Sequence, residues 1–306
     1  MTKNIHATEH HFGWDNSIAP KMVVQPGEEV FVETLDSSAG QITKDSKLAD
    51  LINLDFGKVN PVTGPMLIDG AKPGDAVQIT FLEFHTKGWG WTGNIPGFGL
   101  LADQFKDPAL HIWKFDASKP TVSEFEAGGK VALKPFVGTI GVALAEKGLH
   151  SVVPPRNVGG NLDIRDMSAG TVLRLPVEVD GALLSIGDTH AAQGDGEVCG
   201  TAIESPIDVL VKIDLIKDAK ISSPEFETSA AVTISSKPAS VNSAFIGKSR
   251  GSLSGTTTSG MSNSAGRGVE GIISGLCRQS ALAGQLCSFD EKSRMCEVIV
   301  LLKPNR

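Results

Sequence analysis

Leu173-Arg174-Leu175-Pro176-Val177-Glu178-Val179-Asp180-Gly181-Ala182-Leu183-Leu184-Ser185-Ile186 decides the fold class. Two runs of strand-forming residues flank an Asp-Gly pair, and Asp-Gly tolerates the positive φ angles of a two-residue hairpin turn. The stretch therefore predicts a β-hairpin. Ala169-Gly170 launches its first run, and the same turn-then-strand pattern recurs upstream. Pro26-Gly27-Glu28 leads into Glu29-Val30-Phe31-Val32-Glu33, and Pro73-Gly74-Asp75 into Ala76-Val77-Gln78-Ile79-Thr80-Phe81. Ile207, Val209, Val211, Ile213 and Leu215 alternate with polar or smaller residues, as a half-buried strand does. With 34 Gly and 16 Pro, turns are frequent and short strands are favoured over long helices. The expected fold is mainly β with α+β character. It has an antiparallel β-sandwich or barrel-like core, few helices, and a small C-terminal α/β or irregular segment. The repeated turn-strand unit reads as the grammar of antiparallel sheets rather than as an internal duplication.

Directly after the hairpin signal comes Gly187-Asp188-Thr189-His190-Ala191-Ala192-Gln193-Gly194-Asp195-Gly196-Glu197-Val198-Cys199-Gly200-Thr201-Ala202-Ile203-Glu204. On an extended strand Asp188 and His190, two apart, share a face. Gln193 to Glu197 suits a turn, and Val198 to Glu204 can return as a second strand. Glu204 would then face Asp188 and His190, giving a carboxylate–imidazole–carboxylate set of the kind that binds a divalent ion. The structural alternative is that Asp188 caps a turn and His190 is a satisfied core histidine. D-x-H alone does not separate the two, and no H-E-x-x-H occurs.

The chain has 306 residues, net charge −7 and no Lys/Arg run, so nucleic acid is not an expected partner. No apolar stretch is long enough for a membrane span, and the polar, His-containing start lacks a secretory h-region. Four cysteines with no C-x-x-C pair fit a reduced, cytoplasmic setting. Residues 1–220 read as a β-rich catalytic core. Residues 221–306 read as a C-terminal segment packed on it, with a Ser/Gly-rich stretch over 249–266. Val269, Ile272, Ile273, Leu276, Leu282 and Leu286 have the spacing of amphipathic helical turns.

Other polar groups stand at turns. Asp36 follows the Val30–Thr34 run, where a carboxylate forms a turn or serves as a ligand or base. Gly159-Gly160 permits close backbone approach, leaving Asn161 and Asp163 to orient a substrate or to close an Asx turn. The glycine- and aromatic-rich Gly88–Gly99 reads as a loop that either approaches a ligand or is anchored by its tryptophans. His10 and His11 are adjacent, so at most one faces a given site. Cys199 lies beside acidic residues that disfavour a thiolate, which counts against a cysteine nucleophile.

Taken as a set, several blocks resemble the acetamidase/formamidase family. They are Pro26-Gly27 through Asp36 to Gly40-Gln41-Ile42, Asn60 to Pro65, Pro135 to Ala143, Gly159-Gly160-Asn161-Leu162-Asp163, and the 187–204 stretch. The resemblance runs from about His10 to Asp218 and fades in the tail, where Leu286-Cys287-Ser288 and Glu297-Val298 echo it only faintly. It implies hydrolysis of a short aliphatic amide, formamide or acetamide, to the carboxylate and ammonia, a homodimer or higher homo-oligomer, and a divalent metal. The metal assigned is zinc, with calcium, manganese or iron left open. Asp188, His190 and Glu204 are read as the metal ligands. Glu204, Asp36 and Asn161 are the catalytic candidates: base, second proton carrier and oxyanion donor. Gln193 and Asp163 are read as substrate-binding. The competing reading is a non-catalytic small-molecule-binding protein on the same scaffold.

Overall fold

The computed structural model describes residues 2–125, 129–194 and 197–228. It also describes the backbone of strands at 234–235, 285–290 and 295–300. The protein is mostly β, with several mainly antiparallel sheets, and no sheet among the described residues closes into a barrel. The helices among the described residues are a short one at Leu48–Ile52 and a 3-10 turn at Phe56–Lys58. No helix among the described residues is long and apolar enough to cross a membrane.

Two large sheets make the sandwich. The first runs in the order Lys3–Ile5, Glu28–Val32, Ile207–Ile216, Ala76–Thr86, Val172–Pro176, Glu225–Glu227 and Ile234–Ser235. The second runs from Gly159–Asn161 through Phe136–Gly141, Leu184–Ala192, Ile203–Glu204 and Trp89–Asn94 to Ala109–Lys114, with Val62–Ile68 also paired to Leu184–Ala192. The first sheet contributes Val30, Val32, Ile79, Phe81, Leu173, Leu175, Val209, Val211 and Ile213 to the main core. The second contributes Met66, Ile68, Val137, Ile140, Leu184 and Ile186. The alternation of Val209, Val211 and Ile213 fills this layer, while Lys212 and Asp214 face outward. Burial of such aliphatic faces is the main force holding two sheets together.

The strands launched at 28, 76 and 172 form where the turn signals place them, and the alternating run from Ile207 forms a strand as expected. The expected 173–186 hairpin does not. Val172–Pro176 pairs with Ala76–Thr86 and Glu225–Glu227, whereas Leu184–Ala192 pairs with Phe136–Gly141, Val62–Ile68 and Ile203–Glu204. Asp180-Gly181 turns the chain from one sheet of the sandwich to the other. Ala182 and Leu183 both take positive φ, so the second run starts two residues late and faces a different partner. The glycine-aromatic segment also departs from expectation, because Trp89–Asn94 is a strand and only the residues after it form a loop. In the tail, Leu286 lies on a strand at Gln285–Asp290 rather than on a helical turn. The Ser/Gly-rich 249–266 and the rest of the helical pattern lie outside the described residues.

The Leu184–Ala192 strand is buried along its whole length. At Gly187 it passes so close to the neighbouring backbone that a Cβ would sit on the Pro61 carbonyl oxygen. Backbone cannot yield as a flexible side chain can. Gly187→Ala is therefore expected to cost about 3 kcal/mol or more and to lower Tm by on the order of 10 °C, read by thermal unfolding. An unchanged Tm would mean that the two strands separate freely there.

Candidate functional site

Asp188 interrupts its strand, whose pairing with Phe136–Gly141 skips it and resumes at Thr189 and His190. Leu184 and Ile186 enter the intersheet core, but Asp188 takes φ 51°, and its carboxylate lines a cavity instead. Aspartate is among the few residues that tolerate this left-handed region. The sequence reading expected Asp188 and His190 to meet by plain alternation. They do meet, with His190 Nε2 3.2 Å from Asp188 Oδ1, through this backbone irregularity. Only Ile203–Glu204 of the expected returning strand is extended, and it places Glu204 opposite His190. Glu204 Oε2 lies 3.1 Å from His190 Nε2.

The orientation of the His190 ring is fixed from behind. Gln193 Nε2 donates to the Asp163 backbone carbonyl at 3.0 Å, and a carbonyl can only accept. Gln193 Oε1 is therefore the atom 3.0 Å from His190 Nδ1, and Nδ1 carries the hydrogen. Phe136 meets the ring edge-on, with centroids 4.9 Å apart. In neutral His190 this leaves the Nε2 lone pair facing two buried carboxylates. Such a set is stable only with a cation or a proton between the three atoms. Burial works against charge on His190, but Glu204 and Asp188 outweigh it and hold its pKa well above the usual value. Glu204 Oε2 is within ion-pair distance but accepts no aligned hydrogen bond, while Glu204 Oε1 accepts from the Ala202 N–H at 2.7 Å. A buried carboxylate oxygen with lone pairs to spare, beside an imidazole nitrogen, is what a divalent ion requires. Asp188, His190 and Glu204 offer ligand atoms all within 4.8 Å of one another, as do Asp163, His190 and Glu197.

Asp188 Oδ2 is held by groups that the sequence reading did not single out. Asn60 Nδ2 donates to it at 3.3 Å, and Thr139 Oγ1 stands 3.0 Å away. Thr139 Oγ1 is also 2.9 Å from Asn161 Oδ1, and its one hydrogen serves a single acceptor, either Asp188 Oδ2 or Asn161, which lies on the cavity wall. Asn60 precedes Pro61 and takes φ 50°, so an asparagine in a strained pre-proline position was the available signal.

The other expected site residues fall elsewhere. Gln193 and Asp163 stand behind His190 rather than on the cavity wall. Asp36 is buried beneath the wall, and its carboxylate accepts from Ser38 N–H, Ser38 O–H, Gly40 N–H and the Trp91 indole. His10 and His11 are both outside the cluster. His10 Nδ1 reaches the Ala7 carbonyl, and His11 joins Ser185 Oγ at 2.9 Å. The cavity measures about 330 Å³, and besides the polar groups it is walled by apolar side chains including Trp91, Ile95 and Phe98.

The sequence profile described as the Acetamidase/Formamidase family matches residues 1–152 and 143–265. An acetamidase of Mycolicibacterium smegmatis is 29% identical over 69% of this chain and 67% of its own length. A formamidase of Methylophilus methylotrophus is 29% identical over 72% of this chain and 68% of its own length. The crystal structure of an acetamidase from Bacillus halodurans superposes with a TM-score of 0.72 at 28% identity, covering 92% of this chain and 86% of that one.

Proposed function

As a member of the acetamidase/formamidase family this chain is an amidohydrolase, converting an amide to the acid and ammonia, and we propose that the reaction occurs at Asp188, His190 and Glu204 with the help of a divalent ion. The observation that carries this reading is the Nε2 lone pair of His190 facing two buried carboxylates on a cavity wall. Asp188 Oδ1 and His190 Nε2 would hold the ion, with Glu204 as a further ligand or as the base, and zinc suits this donor set, with calcium, manganese or iron as alternatives. A bound ion of this kind polarises a carbonyl and supplies hydroxide near neutral pH.

The chain's own residues do the rest. Glu204 Oε2, the carboxylate oxygen without an aligned donor, takes the proton from water as its oxygen attacks the carbonyl carbon. Asn161, on the cavity wall, supplies an amide N–H to the oxygen that gains charge. Glu204 then returns the proton to the nitrogen as the C–N bond breaks, releasing ammonia. Gln193 and the Asp163 carbonyl hold the His190 tautomer, so in this reading they are positioning residues rather than substrate contacts. Asp36 is likewise a positioning residue. Three donors converge on its Oδ2 and one on its Oδ1, and through Oδ2 it holds Trp91 in the wall. A small-molecule partner and a homo-oligomer belong to the same proposal.

Ammonia release from formamide, acetamide, propionamide and larger carboxamides, before and after chelation, tests the reading. Turnover that falls on chelation and returns with zinc is expected. Turnover indifferent to exhaustive chelation overturns the role of the ion. No release from any amide under any metal condition leaves the binding-protein alternative standing.

A separate expectation concerns the Cys199 thiol. Burial pushes the Cys199 thiol up to about 11, and its Sγ donates to the Thr201 carbonyl. Cys199→Ala should therefore keep ammonia release within about twofold, while losing about 1 kcal/mol of stability with the hydrogen bond. A loss of a hundredfold in release would make the thiol a participant.

A further inference from the structure

Resting on the amidohydrolase reading, we propose that this chain selects amides whose acyl group is large and apolar, aromatic or branched, over formamide and acetamide. The cavity beside Asp188 and Glu204 is about 330 Å³. Pockets of about 300–1,000 Å³ enclose drug-sized ligands, so the polar cluster engages the amide group while most of the cavity stands beyond it. Leu54, Phe56, Trp91, Ile95, Phe98 and Leu100 supply the apolar part of that wall. Three of them leave much of their surface open to water: Phe56 is 53% exposed, Phe98 40% and Leu100 50%. The Phe56 and Phe98 rings lie 6.2 Å apart, forming an open aromatic lip. Formamide offers no carbon to cover these surfaces, and acetamide only a methyl.

The wall is built rather than incidental. Leu100 N–H donates to the Val198 carbonyl at 2.8 Å, and Phe98 N–H to the Ile95 carbonyl at 3.0 Å. A Cβ at Gly200 would run into the Phe98 ring, and one at Gly99 into the Cys199 backbone, so the 95–100 turn is seated closely on the 197–201 turn. On the other side, the Asp55 carboxylate accepts from Gly57 N–H and closes the 3-10 turn that presents Phe56. Trp91 is tied to Asp36 through its indole nitrogen at 2.8 Å.

The test is kcat/KM across formamide, acetamide, isobutyramide and phenylacetamide, with calorimetric binding of acetamide and phenylacetamide beside it. A hydrophobic pocket discriminates about tenfold or more per added methylene, so kcat/KM should rise on the order of 10²-fold or more from acetamide to phenylacetamide. Phe98→Ala and Leu100→Ser should each reduce that ratio about tenfold. The ratio is taken within one protein preparation and is unaffected by partial misfolding. Formamide or acetamide matching or exceeding phenylacetamide, or a ratio unmoved by both substitutions, overturns the inference while leaving the hydrolase intact. Should no amide release ammonia, the hydrolase reading fails separately, and the binding order decides. Phenylacetamide binding tighter than acetamide supports the cavity's selectivity, and equal or weaker binding overturns it.

Discussion

His190→Ala is expected to reduce ammonia release by about 10³-fold and to abolish tight binding of a divalent ion. The imidazole is the one nitrogen in the Asp188–His190–Glu204 set, and its Nε2 stands within 3.2 Å of both carboxylates. Lewis-acid stabilisation is worth several kcal/mol, and each 1.36 kcal/mol is about tenfold in rate, which gives the magnitude. Removing the ring also leaves two carboxylates facing each other in a buried site, where breaking such a set costs about 3–5 kcal/mol. The substitution therefore needs a companion that keeps the ring. Gln193→Leu removes the acceptor that fixes Nδ1–H, together with the donor to the Asp163 carbonyl, and loss of such an orienting contact costs about 10–100-fold. Elemental analysis, ammonia release and thermal unfolding on both variants check the pair. Wild-type ion content and turnover in a folded His190→Ala protein would remove His190 from the site.

Much of the fold was readable in local chemistry. Turn residues before β-branched runs marked the strands at 28, 76 and 172, because Gly and Pro fix backbone direction within a few residues, and alternation marked the strand at 207. The partners of those strands were not readable in the same way. Asp180-Gly181 has the composition of a hairpin turn, yet the residues after it, Ala182 and Leu183, adopt positive φ and carry the chain across the sandwich. A two-residue signal specifies a reversal but not which sheet receives the next strand, and that choice is made by distant apolar faces such as Val137 and Met66.

The site was legible in the same uneven way. Asp188, His190 and Glu204 were found from spacing on a strand, and they do converge, although by a left-handed Asp188 rather than by alternation. Asn60 and Thr139 hold Asp188 from segments 128 and 49 residues away. Contacts of that kind follow from tertiary packing and leave no local pattern. Gln193 was noticed as a polar residue near the cluster. Its task, setting the tautomer of His190, emerges only once the Asp163 carbonyl is seen to occupy its amide nitrogen.

Glu204→Gln is expected to lower kcat by about 10²–10⁴-fold, the range of a general base, while KM and Tm stay near wild type. The isostere preserves the packing. Ala202 N–H donates to Glu204 Oε1 at 2.7 Å, which obliges the glutamine to keep its carbonyl oxygen at that position and to turn its NH2 group toward His190. The substitution removes the proton acceptor without opening a void, and the NH2 can meet the His190 Nε2 lone pair only while no ion is bound there. The residue has two possible parts in the reaction, ligand and base, and the variant separates them. Asp188 Oδ1 and His190 Nε2 remain within 3.2 Å of each other in either case. A base that contributes only secondarily to ion binding yields a protein that still carries the ion, by elemental analysis, and still binds amide, yet turns it over slowly. A residue needed chiefly as a ligand loses ion and turnover in proportion, and excess zinc then restores both. The first outcome is the one expected, because Asp188 Oδ1 and His190 Nε2 stay together to hold the ion when Glu204 Oε2 is replaced. Restoration of full turnover by added zinc would assign the base to another group.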